Sequence, residues 1–247
     1  MSADTSKNDR HDRVSMFKRW LPPAAAVALV LGLLLLIFGR PHRGDPDDLD
    51  RPVSPGPAAI VPPGQICIAL DPGHGGEAYP GCVFDDAMEK DLNLALAQRV
   101  KTLLEGRGYP VVMTRDNDSE ISLGARSAIA EEAGADVFVS IHHNSLENNT
   151  VTSGIEIWRH DGNNPENSVL AQCILDEMLR RTGALDRGLK PGEKLVVLQP
   201  LTMPACLVEV GFLSSIQERA LLLNPEYQEK LAQGIAAGIR MFLNARS

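Results

Sequence analysis

An α/β fold, with a mostly parallel sheet covered on both faces by helices, is what three features of this 247-residue sequence predict. First, short runs of apolar, often branched residues alternate with amphipathic stretches at helical spacing. Second, three of those runs end in a residue able to bind a metal or move a proton. Ile66 to Leu70 leads through Asp71-Pro72-Gly73 to His74, Asp136 to Ile141 runs into His142, and Ala205 to Val208 runs into Glu209. Third, the alternation continues to the carboxyl terminus without an internal repeat, so a single domain is expected over residues 65–247. Ligands of open α/β sheets bind outside the carboxyl ends of the strands, where these three side chains would converge.

Taken in order, the strand from Ile66 is stopped by Asp71-Pro72-Gly73, and a polar loop from Gly75 to Met88 follows. Leu92, Leu96, Val100, Leu103 and Leu104 then repeat at helical spacing from Glu89 onward, and Gly106 and Gly108 end that helix. Tyr109 to Thr114 is a second strand. A helix capped near Ser122 runs to about Ala133, where Gly134 closes it. The strand at 136–141 delivers His142, and Gly154 to Trp158 alternates as the next strand. Pro165 to Arg181 is amphipathic, with Leu170, Ile174, Leu175, Met178 and Leu179 on one side. Lys194 to Leu198 and Ala205 to Val210 are expected to be strands. Ile216 to Leu223 and Pro225 to about Asn244 close the domain as helices, the second with proline in its first turn.

The amino-terminal part has a different character. Residues 20–39 carry no charged side chain, and twenty residues in a helix span roughly 30 Å, enough to cross a bilayer core. Arg10, Arg13, Lys18 and Arg19 precede the run, as befits a cytoplasmic flank. The expectation is a cytoplasmic segment at 1–19 and an uncleaved signal-anchor at 20–39. A cleaved signal peptide is the alternative, although Phe38-Gly39-Arg40 makes a poor cleavage site. Seven prolines between 40 and 64 then describe a semi-rigid linker. The domain behind it would face the outside of the cytoplasmic membrane.

Residues 66–247 hold 16 Lys plus Arg against 25 Asp plus Glu, with no basic stripe, so nucleic acid is not an expected partner. The four cysteines form no CxxC pair, and Cys67 and Cys206 fall inside core strands, where a buried thiol is the simpler reading. A phosphate cradle at Gly73-His74-Gly75-Gly76 lacks the Lys-Ser/Thr ending and does not open a helix.

Two histidines and a carboxylate form a familiar catalytic zinc set, which leaves one position open for water or substrate. His74, Glu89 and His142 supply it, with Glu209 as the acid/base that carries a proton to a leaving nitrogen. Each residue also has a simpler explanation. A histidine after a strand is often hydrogen-bonded for structural reasons, and a glutamate in a first helical turn suits the helix dipole. Glu209, flanked by apolar residues, is the hardest to explain without a partner.

Four motifs occur in sequence: Asp71-Pro72-Gly73-His74-Gly75-Gly76, Glu89-Lys90-Asp91-Leu92-Asn93-Leu94-Ala95, Ser140-Ile141-His142-x-Asn144, and Pro204-Ala205-x-Leu207-Val208-Glu209-x-Gly211-Phe212-Leu213-Ser214. In that order they resemble the signatures of the zinc-dependent N-acetylmuramoyl-L-alanine amidases of the type 3 family. The similarity extends from about Ile66 to the carboxyl end. It implies a twisted sheet of about six strands, one catalytic zinc ion held by His74, Glu89 and His142, and Glu209 as the catalytic glutamate. The implied reaction cleaves the amide between the lactyl group of N-acetylmuramic acid and L-alanine in peptidoglycan. Asn144, His143 and Arg126 are candidate substrate contacts; His143, where the family often has alanine, could instead point to solvent, and Arg126 could instead form a structural ion pair. Asp71 reads as a turn former or a partner of nearby groups. Gln199 stands where the family commonly has arginine.

Relatives that depend on divisome activators carry a long plugging helix between the second histidine and the catalytic glutamate. Here that interval is filled by ordinary elements, so no activator is demanded. The anchor plus bare catalytic domain is similar to sporulation and germination amidases. The competing expectations are a zinc peptidase that cuts within the stem peptide and a peptidoglycan-binding module without activity.

Overall fold

The computed structural model describes residues 64–160, 162 and 164–246. The predicted cytoplasmic segment, the anchor and all of the linker but Gly64 lie outside the described residues. Among the described residues no helix is long and apolar enough to cross a membrane.

Among the described residues eight strands and five helices follow in chain order: β1 (Ile68–Pro72), β2 (Val83–Phe84), β3 (Ala87–Met88), α1 (Glu89–Glu105), β4 (Val111–Met113), α2 (Leu123–Glu132), β5 (Val137–Asn144), β6 (Ile155–Arg159), α3 (Asn167–Thr182), β7 (Asp186–Pro191), β8 (Ala205–Phe212), α4 (Ile216–Leu222) and α5 (Pro225–Ala245). Six strands form one sheet in the order β4-β1-β5-β8-β6-β7, and β2 pairs with β3 as a separate hairpin. All pairings in the large sheet are parallel except β6 against β8. The mostly parallel α/β expectation therefore holds.

Alternation along the strands sorts the core into two layers. Ile68, Leu70, Val137, Val139, Ile141, Cys206, Val208 and Val210 pack with Leu96, Val100 and Leu104 of α1 and with apolar residues of α3 and α5. Cys67, Ala69, Phe138, Ala205 and Leu207 point the other way, toward Ala130 of α2 and the segment bearing Val197, Leu198, Leu201 and Met203. One face thus carries three long helices, the other a single short helix and a loop. On the first face α3 and α5 pack closely because Gly234 and Gly238 bring the backbones together. A Cβ on Gly238 would lie 2.4 Å from the Ile174 Cα. The helix starts agree with the sequence reading: Ser122 Oγ accepts from the Ala125 N–H, and Asn224 Oδ1 accepts from the N–H groups of Glu226 and Tyr227 ahead of the proline-fronted α5.

Two expectations are corrected. Lys194 to Leu198 is a turn segment, not a strand. Its apolar residues Val197 and Leu198 are buried by packing on the second face, so apolarity there signals a core contact without strand pairing. The edge strand is Asp186–Pro191, half exposed and interrupted by Gly188 at φ +75°. An edge strand with one partner does not need the apolar run that marks a central strand. The expected loop before α1 also contains the β2–β3 hairpin.

Candidate metal centre and active site

Alternation decides which residues reach the thinly covered face. Val137, Val139 and Ile141 of β5 point to the helix-rich face, so Ser140 and His142 point away from it. On β8, Cys206 and Val208 share the helix-rich face and Glu209 falls on the other. Parallel register sets His142 directly beside Glu209, and antiparallel register sets Glu156 of β6 on the other side of Glu209.

His74 arrives from the turn after β1, at φ +60°, a left-handed conformation uncommon for a histidine. Two buried arginines hold that turn. Arg115 donates to the carbonyls of Pro72 (2.9 Å), Gly73 (2.9 Å) and Lys90 (2.8 Å), while Arg126 donates to the carbonyls of Pro72 (2.8 Å) and His74 (2.8 Å). Arg126 also pairs with Asp71 at 2.7 Å, and Asp71 accepts from Thr114 (2.5 Å) and Ser140 (2.7 Å). Burial alone would raise the Asp71 carboxyl; the Arg126 charge and these hydrogen bonds outweigh it and hold the carboxyl below its usual range.

Glu89 is the first residue of α1, delivered by the hairpin. Its N–H donates to the Cys82 carbonyl (2.9 Å), and its Oε2 accepts from the Cys82 N–H (3.0 Å). The other oxygen, Oε1, lies 3.2 Å from His74 Nε2 and 3.0 Å from His142 Nδ1. Burial pushes the Glu89 carboxyl up, but the hydrogen bonds and charges of His142 and His74 overcome this and hold it well below the carboxylate range. Glycines make room for the cluster: a Cβ on Gly73 would sit 2.1 Å from the His142 ring, and one on Gly81 2.5 Å from Glu89 Oε2.

The candidate ligand atoms of His74, Glu89 and His142 lie within 4.8 Å of one another. Tetrahedral bonds of about 2.0–2.1 Å would set ligand atoms about 3.3 Å apart, close to the two histidine–glutamate separations here. The donor set of two imidazoles and one carboxylate can hold a divalent ion. Glu209 Oε2 is buried and has no hydrogen-bond partner among the described residues. Burial, followed by the charges of Glu89 and Glu156, pushes the Glu209 carboxyl well above its usual range. A buried carboxylate oxygen without a donor, beside a histidine–glutamate cluster, calls for a proton or a cation.

The structure therefore brings His74, Glu89, His142 and Glu209 together, and it sorts the remaining candidates. Asn144 is on the same face, donating to Glu156 Oε1 at 3.0 Å. His143 faces neither solvent nor the crevice: it is 2% exposed, with Nδ1 2.7 Å from Asn93 Oδ1 under α1. Burial pulls its pKa down to about 4, so it is neutral. Arg126 takes the ion-pair alternative, since it is 4% exposed with its donors on Asp71 and the β1 turn. Asp71 is that pair's acceptor, which fits its reading as a partner of nearby groups. Gln199 lies exposed in the turn segment, bonded to the Glu193 carbonyl. Sequence reading gave no role to Glu156 or Arg187. A glutamate inside the apolar strand Gly154 to Trp158 was the available signal, the same one that marked Glu209.

A protein-family model described as N-acetylmuramoyl-L-alanine amidase matches residues 68–241. The germination-specific N-acetylmuramoyl-L-alanine amidase of Bacillus subtilis is 31% identical over 234 residues, covering 89% of this chain and 95% of that protein. The crystal structure of an N-acetylmuramoyl-L-alanine amidase from Clostridium difficile 630 superposes with a TM-score of 0.71 at 34% identity, covering 74% of this chain and 99% of the other. The CwlD amidase of Clostridioides difficile, solved in complex with the GerS lipoprotein, superposes with a TM-score of 0.69 at 32% identity, covering 73% and 100%. The chain belongs to the N-acetylmuramoyl-L-alanine amidase family, hydrolases that cleave the amide joining N-acetylmuramic acid to L-alanine.

Proposed function

We propose that this chain is a membrane-anchored, zinc-dependent amidase that removes stem peptides from peptidoglycan on the outer side of the cytoplasmic membrane. The observation that carries the catalytic part is the register pair of His142 and Glu209, which sets a carboxyl whose Oε2 has no hydrogen-bond partner among the described residues beside the His74–Glu89–His142 cluster.

His74, Glu89 and His142 would hold one zinc ion. Bound there, zinc supplies Lewis acidity toward the scissile carbonyl and toward water. Glu209 is the acid/base: it takes a proton from the attacking water and returns it to the departing L-alanine nitrogen, so the amine leaves neutral. Its buried position raises its proton affinity, which favours its holding that proton between the two steps. Glu89 stays ionised between two imidazoles and contributes the negative charge that favours a cation. The arginine-braced β1 turn fixes His74, and Gly73, lacking a side chain, lets the His142 ring approach the backbone closely.

The helix between His142 and Glu209 supports a site that works without a displaced plug. That helix, α3, packs on the opposite face of the sheet from Glu209. Anchorage rests on the uncharged run at 20–39 with its basic flank, and the proline-rich linker would hold the domain off the membrane.

The test is incubation of the protein with intact peptidoglycan and mass spectrometry of the products, beside Glu209→Ala and a chelated sample. Whole stem peptides with a free L-alanine amino end, absent from both controls, are the expected result. Cleavage inside the stem peptide would replace the amidase with a peptidase. Retained wall binding without cleavage would replace it with a binding module.

A further inference from the structure

Beyond Glu209 the crevice face continues across two more strands, and the last carries a cation. Glu156 of β6 stands in register with Glu209, and an irregularity in the β6–β7 pairing between Ile155 and Ile157 falls opposite Arg187. Arg187 Nε donates to Glu156 Oε2 at 2.9 Å, and its Cζ lies 4.8 Å from the centroid of the Phe212 ring. Asn144 occupies the other Glu156 oxygen. The ion pair is thereby held from two sides, and while burial raises the pKa of the nearby Glu218 carboxyl, the Arg187 charge draws it down. Arg187 nevertheless keeps 29% of its side chain exposed, and its two Nη groups have no hydrogen-bond partner among the described residues. A guanidinium fixed at Nε and backed by a ring, with its far edge open, presents a fork suited to a carboxylate.

We propose that Arg187 binds a carboxylate of the departing stem peptide, and so makes the enzyme select stem peptides with a free acidic group near the scissile amide over those in which it is amidated. This rests on the amidase reading above, because that reading fixes the direction. On that reading the scissile carbonyl would sit toward the His142 cluster, and the nitrogen released with the Glu209 proton on the other side, toward Glu156. Neighbouring strands are about 4.8 Å apart, so β7 runs about 10 Å beyond β8 on that leaving side. An extended peptide covers about 3.3–3.6 Å per residue. Since Arg187 leans back onto Glu156, the acidic group it reaches is within about two residues of the scissile nitrogen.

The test uses the full chain and two matched sets of ligands, muramoyl-peptides and their free stem peptides, with the nearest acidic group as carboxylate or as amide. Wild type is expected to bind the free acidic stem peptide at least tenfold more tightly than the amidated one by calorimetry, and to show the same preference in kcat/KM. Arg187→Gln removes the preference by weakening only the acidic ligand; Arg187→Lys, which keeps the charge without the fork, retains a reduced preference. Equal binding of both peptides by wild type overturns the proposal. So does an Arg187→Gln variant that loses both ligands equally while Arg187→Lys does the same, since that is the signature of a prop for Glu156 and Phe212. If the peptides are discriminated but the muramoyl amide stays intact, the amidase reading fails while the carboxylate site stands.

Discussion

Glu209 of β8 lies beside His142 of β5 in parallel register, and its Oε2 is buried without a hydrogen-bond donor among the described residues. The buried carboxyl is a stability cost kept next to the His74–Glu89–His142 cluster. Replacing it with glutamine keeps the shape and removes the burden. Glu209→Gln is therefore expected to lower kcat/KM by about 10²–10⁴, the usual contribution of a general acid/base. Bound metal, measured by elemental analysis, should be unchanged, and the thermal midpoint should not fall. A large drop in metal content would make Glu209 a ligand instead.

Gly73 is the residue on which the His142 ring rests. Because a Cβ would stand 2.1 Å from that ring, Gly73→Ala should displace the imidazole and cut metal affinity at least tenfold. Gly73 is not among the positive-φ glycines, so the backbone tolerates alanine. Competition with a zinc-sensitive chelator reads the affinity, and circular dichroism should show the fold retained.

Asp71 and Arg126 form a buried ion pair that holds the turn bearing His74. Asp71→Asn leaves a buried guanidinium unpaired and should cost about 3–5 kcal/mol at neutral pH by denaturant unfolding. The folded carboxyl titrates below 3.8, its ordinary value. Above that value both folded and unfolded states are ionised, and the pair's contribution is complete. As pH falls below it the unfolded chain takes up the proton first, so the contribution shrinks and is gone below the folded pKa. The stability difference between wild type and Asp71→Asn should accordingly be flat above about pH 5 and narrow at lower pH. A difference that does not change with pH would show that the pair's charge is not what stabilises the turn.

In an open helix, replacing glycine by alanine gains up to about 1 kcal/mol. At Gly238 the sign should reverse, because the new Cβ would lie 2.4 Å from the Ile174 Cα and 2.7 Å from the Cys173 carbonyl oxygen, both backbone atoms of α3. Gly238→Ala is expected to destabilise by about 1–3 kcal/mol. Gly124→Ala in α2, where nothing lies within 4 Å, is the control and should be neutral or stabilising.

Much of the site could be read before any coordinates because its parts sit at strand ends. An apolar run that stops in a histidine or glutamate is a local pattern, and His74, His142 and Glu209 each follow one. Glu89 was visible as the first residue of a periodic helix. His142 and His143 differ by one position, and either could have been the inward group by residue type alone. Strand alternation gave His142 to the cluster with Glu89 and His74, and His143 to Asn93 beneath α1. Arg126 looked equally suited to substrate or to an ion pair; its partner, Asp71, lies 55 residues away. Edge strand β7 went unseen because a strand with one neighbour and a half-exposed face needs no apolar run, and the real apolar run at Lys194 to Leu198 was packing rather than pairing.

The sequence by itself determined the α/β class, the strands that carry the candidate site and the four residues His74, Glu89, His142 and Glu209 that the fold brings together, since each depends on side chains within a few positions of one another. Only the tertiary structure decided how those side chains are shared out: which face each one meets, which buried charge answers which, and that Glu156 and Arg187 continue the line begun by His142 and Glu209. Those outcomes follow from register between strands far apart in the chain, where a shift of one residue would send every side chain to the opposite face.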